Sequence, residues 1–222
     1  MIGKEPSVLP KDIEAIGIIR EMVQALPVIA LSTLPADRTA LVVIDMVNGF
    51  AREGTLSSPR VASLIPKVAR LMEKCKEMGM PILAFADTHS DCSPEFGSYP
   101  RHCLSGTQEP EVVDELKAVG GYTLIAKNST NGFLEEPFRE WIRAHHEIGN
   151  LVVIGDCTDI CVEQMSISLK AHFNRLNLPS RVMVVADAVD TFDTPTHIGD
   201  FMHIVALYFM MQSGVEVIAS LV

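Results

Sequence analysis

The chain has 222 residues, 48% of them apolar and 21% charged, which suits one folded domain with a sizeable core and excludes extensive disorder. A formal charge of −10 sets it against phosphate backbones, so no nucleic-acid partner is expected. No apolar run reaches the roughly 18–20 residues of a bilayer span, the opening MIGKEPSVLPKDIEAIG lacks the pattern of a secretory leader, and five irregularly spaced cysteines suit reduced thiols, so a cytoplasmic chain without membrane contact is expected.

In chain order, DIEAIGIIREMVQAL puts Ile13, Ile16, Ile19, Val23 and Leu26 at helical spacing. An amphipathic helix follows, packing on the domain or on a partner subunit. Residues 1–39 read as a helical extension and 40–222 as one domain. Six short runs rich in Val and Ile then predict strands at 40–46, 81–87, 122–128, 150–157, 181–189 and 216–222. Helical patterns lie between them at 59–78, 109–118, 136–146, 160–175 and 197–212. Each strand is nearly continuous in apolar residues, as when helices cover both faces. The alternation predicts a three-layer αβα fold around a six-stranded, mostly parallel sheet with right-handed crossovers.

In such sheets ligands bind beyond the carboxyl ends of the strands. There the sequence places Asp45, then Asp87 with His89 two residues on, then Lys127, then DCTDIC with Cys161 at the start of a helix. A thiol at a helix N-terminus near an ammonium favours thiolate. A carboxylate can take the thiol proton and return it to a leaving amine, while backbone N–H groups around Cys161 hold an oxyanion. Together they describe amide hydrolysis through a thioester. Taken singly, Cys161 is a small buried hydrophobe, Asp45 a cap and Lys127 a solvated cation; their shared position at one sheet edge favours the catalytic reading.

A long irregular stretch from about Thr88 to Gln108 is the second constellation. Asp87, His89, Glu95 and His102 offer two imidazoles and two carboxylates, a set suited to Zn²⁺, Mn²⁺ or Fe²⁺. Solvated loop side chains are the plain alternative, and Cys92 and Cys103 match no common thiolate zinc spacing. Phe50 and Tyr99 are candidates for stacking on a flat substrate, with core packing as the alternative. His145, His146, His172, His197 and His203 fall in helical patterns and read as structural or solvated.

LVVIDMVNGF, FADTH, YPRHCLSGTQEPEV, IAKNSTNGF and VVIGDCTDICV, in that order over about residues 40–222, resemble the isochorismatase-like cysteine hydrolases. Within that superfamily the D-x-H followed by H-C-x-x-G-T is similar to nicotinamidases, which convert nicotinamide to nicotinate and ammonia. The resemblance implies a proton-shuttling Asp45, a triad lysine Lys127 and a nucleophile Cys161. It implies metal ligands Asp87, His89 and His102, with Glu95 at a fourth ligand position, and a divalent ion, Zn²⁺ first. It gives the N–H groups of Cys157 and Cys161 to the oxyanion, after a cis Asp156–Cys157 peptide. Tyr99 stands where nicotinamidases commonly have Trp, and NSTNGF departs from their usual tyrosine-containing segment. A small amide substrate and a homo-oligomer are expected. A ureido or carbamoyl amide is the alternative substrate, and a non-catalytic association domain the alternative role.

Overall fold

The computed structural model describes residues 10–222. In chain order the elements are α1 (Pro10–Gln24), β1 (Val28–Ile29), β2 (Thr39–Ile44), α2 (Asn48–Ala51), α3 (Pro59–Glu77), β3 (Ile82–Asp87), α4 (Asp114–Val119), β4 (Thr123–Lys127), α5 (Glu136–Ala144), β5 (Asn150–Asp156), α6 (Glu163–Arg175), β6 (Arg181–Asp190), α7 (Gly199–Gln212), β7 (Glu216–Ile218) and β8 (Ser220–Leu221). The main sheet has six strands in the order β4-β3-β2-β5-β6-β7. Every pairing in it is parallel, the predicted architecture with no antiparallel edge.

Side-chain alternation divides the core. Leu41 and Val43 of β2 face a cluster with Val61, Leu64, Val68, Leu71 and Met72 of α3. Val42 and Ile44 face the opposite cluster with Phe138 of α5 and Met165 and Leu169 of α6. Burial of each such side chain is worth about 1.5–3 kcal/mol, which is why β2 reads as an unbroken apolar run. In α3 the buried residues recur every three or four positions. The helix starts with Ser58 accepting a hydrogen bond from the Arg60 N–H and Pro59 in its first turn.

This strand order reverses direction between β2 and β5, which opens the ligand crevice there. Gly155 makes the close approach possible. A Cβ on it would lie 2.0 Å from the Ile44 carbonyl oxygen, and its φ is +112°.

Several predicted boundaries shift. The helix expected at 109–118 begins only at Asp114, because the preceding segment is pinned to the loop after β2. Asn48 N–H donates to Glu111 O and Val113 N–H to Met46 O. The expected last strand breaks at Ala219: β7 joins the main sheet, whereas β8 pairs with β1. The predicted N-terminal helix forms as α1 and lies against α7. Its Val23 joins the core while Ile13 and Ile18 stay exposed. All five cysteines are free, and among the described residues no helix is long and apolar enough to cross a membrane.

Candidate active site

Four strand ends deliver the polar groups. Asp45 follows β2 directly, in a left-handed conformation (φ 51°) that Asp tolerates better than most residues. Asp87 ends β3 and Lys127 ends β4, and the two are register partners. Beyond β5 the chain passes a cis Asp156–Cys157 peptide, as expected. It then forms a wide π-type turn, Thr158–Val162, that feeds α6. Cys161 lies in that turn rather than in the first turn of an α-helix.

The structure brings Asp45, Lys127 and Cys161 together. Lys127 Nζ lies 2.9 Å from Asp45 Oδ2, 2.7 Å from Asp87 Oδ1 and 3.5 Å from Cys161 Sγ. It also donates to Ser129 O at 3.1 Å. All four side chains are buried. The Asp45 contact is an ion pair in distance but off the hydrogen-bond direction, and neither Asp45 oxygen accepts a well-aligned hydrogen bond. Burial lifts its carboxyl to about 6, against the pull of Lys127. Burial opposes charge on Lys127, yet the negative groups around it hold the ammonium well above its ordinary range.

Burial, helped by Asp45 and Asp87, pushes the Cys161 thiol well up, and Lys127 does not offset it. This surrounding favours the thiol more than the helix end and Lys127 alone predict, and it sets Cys161 beside a carboxylate able to take its proton.

Asp87, His89, Glu95 and His102 also converge. One ligand atom from each lies within 4.8 Å of the others. Asp87 Oδ2 is 2.9 Å from Nε2 of both His89 and His102, and Glu95 Oε1 is 3.6 and 3.9 Å from them. The imidazoles are pre-oriented. His89 Nδ1 donates to Asn128 Oδ1 at 2.9 Å and His102 Nδ1 donates to Pro100 O at 2.7 Å. Each ring therefore directs an Nε2 lone pair at the shared point, the arrangement of metal-ligating histidines. Formal charge agrees: Asp45, Asp87 and Glu95 face the one ammonium of Lys127, leaving two negative charges for a divalent cation to balance. Burial works against charge on Asp87, but Lys127 beside it holds it below the usual carboxylate range. The residues fit a divalent ion.

Both clusters open on one pocket. Phe50 and Tyr99 line it, as do Cys157 and Cys161. The Phe50 ring lies 5.6 Å from His102, and Tyr99 6.3 Å.

Sequence reasoning missed several walls: Leu56, Thr130, Ile160 and Phe192. It also missed Asn128, whose place next to Lys127 at a strand end was the available signal. His197 is not helical, since α7 begins at Gly199. It stacks on Phe192 at 3.9 Å and bonds Asp159 Oδ2 at 2.8 Å, in the turn that carries Cys161. His203 also reaches this turn, through Thr158 Oγ1 at 3.0 Å. His145 and His172 pack on Trp141 and Phe133, as read.

Fold and site together define an α/β amidohydrolase. The chain belongs to the isochorismatase-like hydrolase family: residues 39–220 match the isochorismatase domain. It is 31% identical over 210 residues to nicotinamidase 1 of Arabidopsis thaliana, covering 82% of this chain and 85% of that one. Among solved structures it resembles the pyrazinamidase of Pyrococcus horikoshii in complex with zinc, with a TM-score of 0.67 and 26% identity over 82% of this chain and 98% of that one. The N-carbamoylsarcosine amidase of Thermoplasma acidophilum gives 0.66 and 29% over 81% and 95%.

Proposed function

We propose that the chain is a metal-assisted cysteine amidohydrolase that converts nicotinamide, or a closely similar flat uncharged amide, to the acid and ammonia. The observation that carries this reading is the position of Lys127 Nζ, 3.5 Å from Cys161 Sγ and 2.9 Å from Asp45, beside a pocket walled by Phe50 and Tyr99.

Asp45 takes the Sγ proton of Cys161 as sulfur bonds to the amide carbon. The N–H groups of Cys157 and Cys161 hold the oxyanion. As the intermediate collapses, Asp45 returns the proton to nitrogen, the C–N bond breaks and ammonia leaves. Asp45 then takes a proton from water as its oxygen attacks the thioester. The C–S bond breaks, the acid departs and Cys161 regains a proton. Lys127 keeps the carboxylates and the developing thiolate at one point. Asp87, His89, Glu95 and His102 would hold a divalent ion, Zn²⁺ first and Mn²⁺ or Fe²⁺ next, which would supply Lewis-acid chemistry to anchor a substrate lone pair.

A ureido or carbamoyl substrate is the second reading, favoured by the likeness to N-carbamoylsarcosine amidase. The sarcosine part carries a carboxylate. Among the described residues lining the pocket none is Arg or Lys, which favours an uncharged amide. A purely associative role predicts a Cys161 that resists alkylation. Exposed apolar side chains on α1 and α7, Ile13, Ile18, Phe201 and Phe209, support self-association.

The test is a metal analysis of the purified protein coupled to an ammonia assay on nicotinamide, with Cys161→Ala and His89→Ala alongside. Ammonia release that vanishes in the first variant and falls in the second supports the reading. A chain that holds no divalent ion and leaves nicotinamide intact refutes it.

A further inference from the structure

The mechanism gives no task to one acidic residue of the pocket wall, Asp156. Asp156 ends β5 beside Cys157, in the wall of the pocket that contains Cys161. Its side chain is fully buried. Oδ1 accepts from the Cys157 thiol at 3.7 Å, whereas Oδ2 is buried with no partner among the described protein groups. A buried polar atom without a partner is unfavourable, so a ligand that supplies one gains by binding here.

We propose that Asp156 is a substrate-reading residue, its carboxyl hydrogen-bonding the carboxamide held against Cys161 and so selecting uncharged primary amides. Burial, with Asp45 adding to it, pushes this carboxyl well above its ordinary range, and the nearby Lys127 does not reverse that. Protonation, which that burial favours, gives the carboxyl one O–H donor beside free acceptor lone pairs. A primary carboxamide has the matching pair, N–H donors and a carbonyl acceptor. An ester of the same acid lacks the N–H. A pocket built to hydrogen-bond a substrate group discriminates strongly against analogues lacking it. Cys157, itself held as a thiol by burial and by Asp156, fixes the rotation of the carboxyl through its bond to Oδ1.

The inference rests on the amidohydrolase reading of this pocket. The test compares hydrolysis of nicotinamide and methyl nicotinate, which form the same acyl-enzyme, by wild type, Asp156→Asn and Asp156→Leu. In the Leu variant the kcat/KM ratio of amide to ester falls about tenfold, the worth of one well-placed hydrogen bond. The Asn variant, which keeps a donor and an acceptor, stays near wild type. A general loosening of the fold lowers both substrates together, so an unchanged ratio in Asp156→Leu overturns the proposal. If wild type cleaves neither compound, the nicotinamide assignment falls and Asp156 is read another way. Alkylation of Cys161 by iodoacetamide is then compared with its reaction with methyl methanethiosulfonate, with peptide mapping to separate Cys161 from Cys157. The amide-bearing reagent loses its advantage in Asp156→Leu if Asp156 reads carboxamides, and a ratio equal to wild type overturns the proposal.

Discussion

Asp87 and Lys127 are register partners at the ends of β3 and β4, with 2.7 Å between carboxylate Oδ1 and ammonium Nζ. The second oxygen of the same carboxylate lies 2.9 Å from Nε2 of both His89 and His102. One side chain therefore joins the cation beside Cys161 to the candidate metal cluster. Asp87→Ala is expected to lose bound metal and more than about a thousandfold in kcat/KM together. It also leaves Lys127 with one fewer buried counter-charge, at a stability cost of about 3–5 kcal/mol. His89→Ala removes a ligand but leaves the ion pair, so it loses metal with a smaller drop in Tm. Elemental analysis and thermal melts of the two variants check this. Equal melts would show that the Asp87–Lys127 contact is not a structural link.

In the proposed mechanism the protonation of Asp45 beside Cys161 is expected to set the low-pH limb of activity. Burial raises the Asp45 carboxyl to about 6, and only its ionised form can accept the thiol proton. Activity is therefore full above that value and is lost as pH falls through about 6, with a slope of one proton. A kcat/KM profile on nicotinamide measures it. Asp45→Asn removes the base, so its residual activity is low and lacks this limb. A limb near the ordinary carboxylate value, or none at all in wild type, would reject Asp45 as the base.

Why these residues could be found in the sequence follows from the sheet. Strands covered on both faces are near-continuous apolar runs, so Asp45, Asp87 and Lys127 announce themselves as the polar residues that close or follow such runs. The metal loop was legible because D-x-H and a second His within a long irregular stretch suit one cation. Phe192 and Leu56 were not legible. Each sits in a loop whose approach to the pocket depends on packing far along the chain. Asp156 was legible by the same rule, as the polar residue that closes β5, but the sequence reading used it only in the cis peptide. His197 was assigned to a helix because nothing local marks the turn that pairs Thr194 with it. The thiolate expectation weighed only the helix end and Lys127; burial and two carboxylates act against it.

Asn128 touches no ligand atom directed at the metal cluster, yet it fixes His89 by accepting from Nδ1 at 2.9 Å. Removing such a partner typically weakens metal binding by about 10–100-fold. Asn128→Ala is expected to purify with less metal and to regain most activity when a divalent ion is added in excess. Competition with a chromogenic chelator gives the affinity. An unaltered affinity would mean that the imidazole is held by Ser93 Oγ, 3.5 Å from Nδ1, and by packing against Phe96, whose ring lies 5.5 Å away.

His197 joins a pocket wall to the turn that carries the nucleophile. Its ring stacks on Phe192 at 3.9 Å, Nδ1 donates to Phe192 O at 3.0 Å, and Nε2 meets Asp159 Oδ2 at 2.8 Å. Phe192 lines the pocket without touching the triad, so its contribution is uniform binding that raises affinity more than rate. His197→Ala is therefore expected to raise KM for nicotinamide about tenfold, the equivalent of about 1.4 kcal/mol, with a much smaller change in kcat. Phe192→Ala should do the same, and the double variant should be no worse than either single one, because both remove the same wall. Bound metal should stay at wild-type stoichiometry throughout, since neither residue approaches Asp87, His89, Glu95 or His102. Additive losses in the double variant would show that the two side chains act separately, with His197 serving only to anchor Asp159.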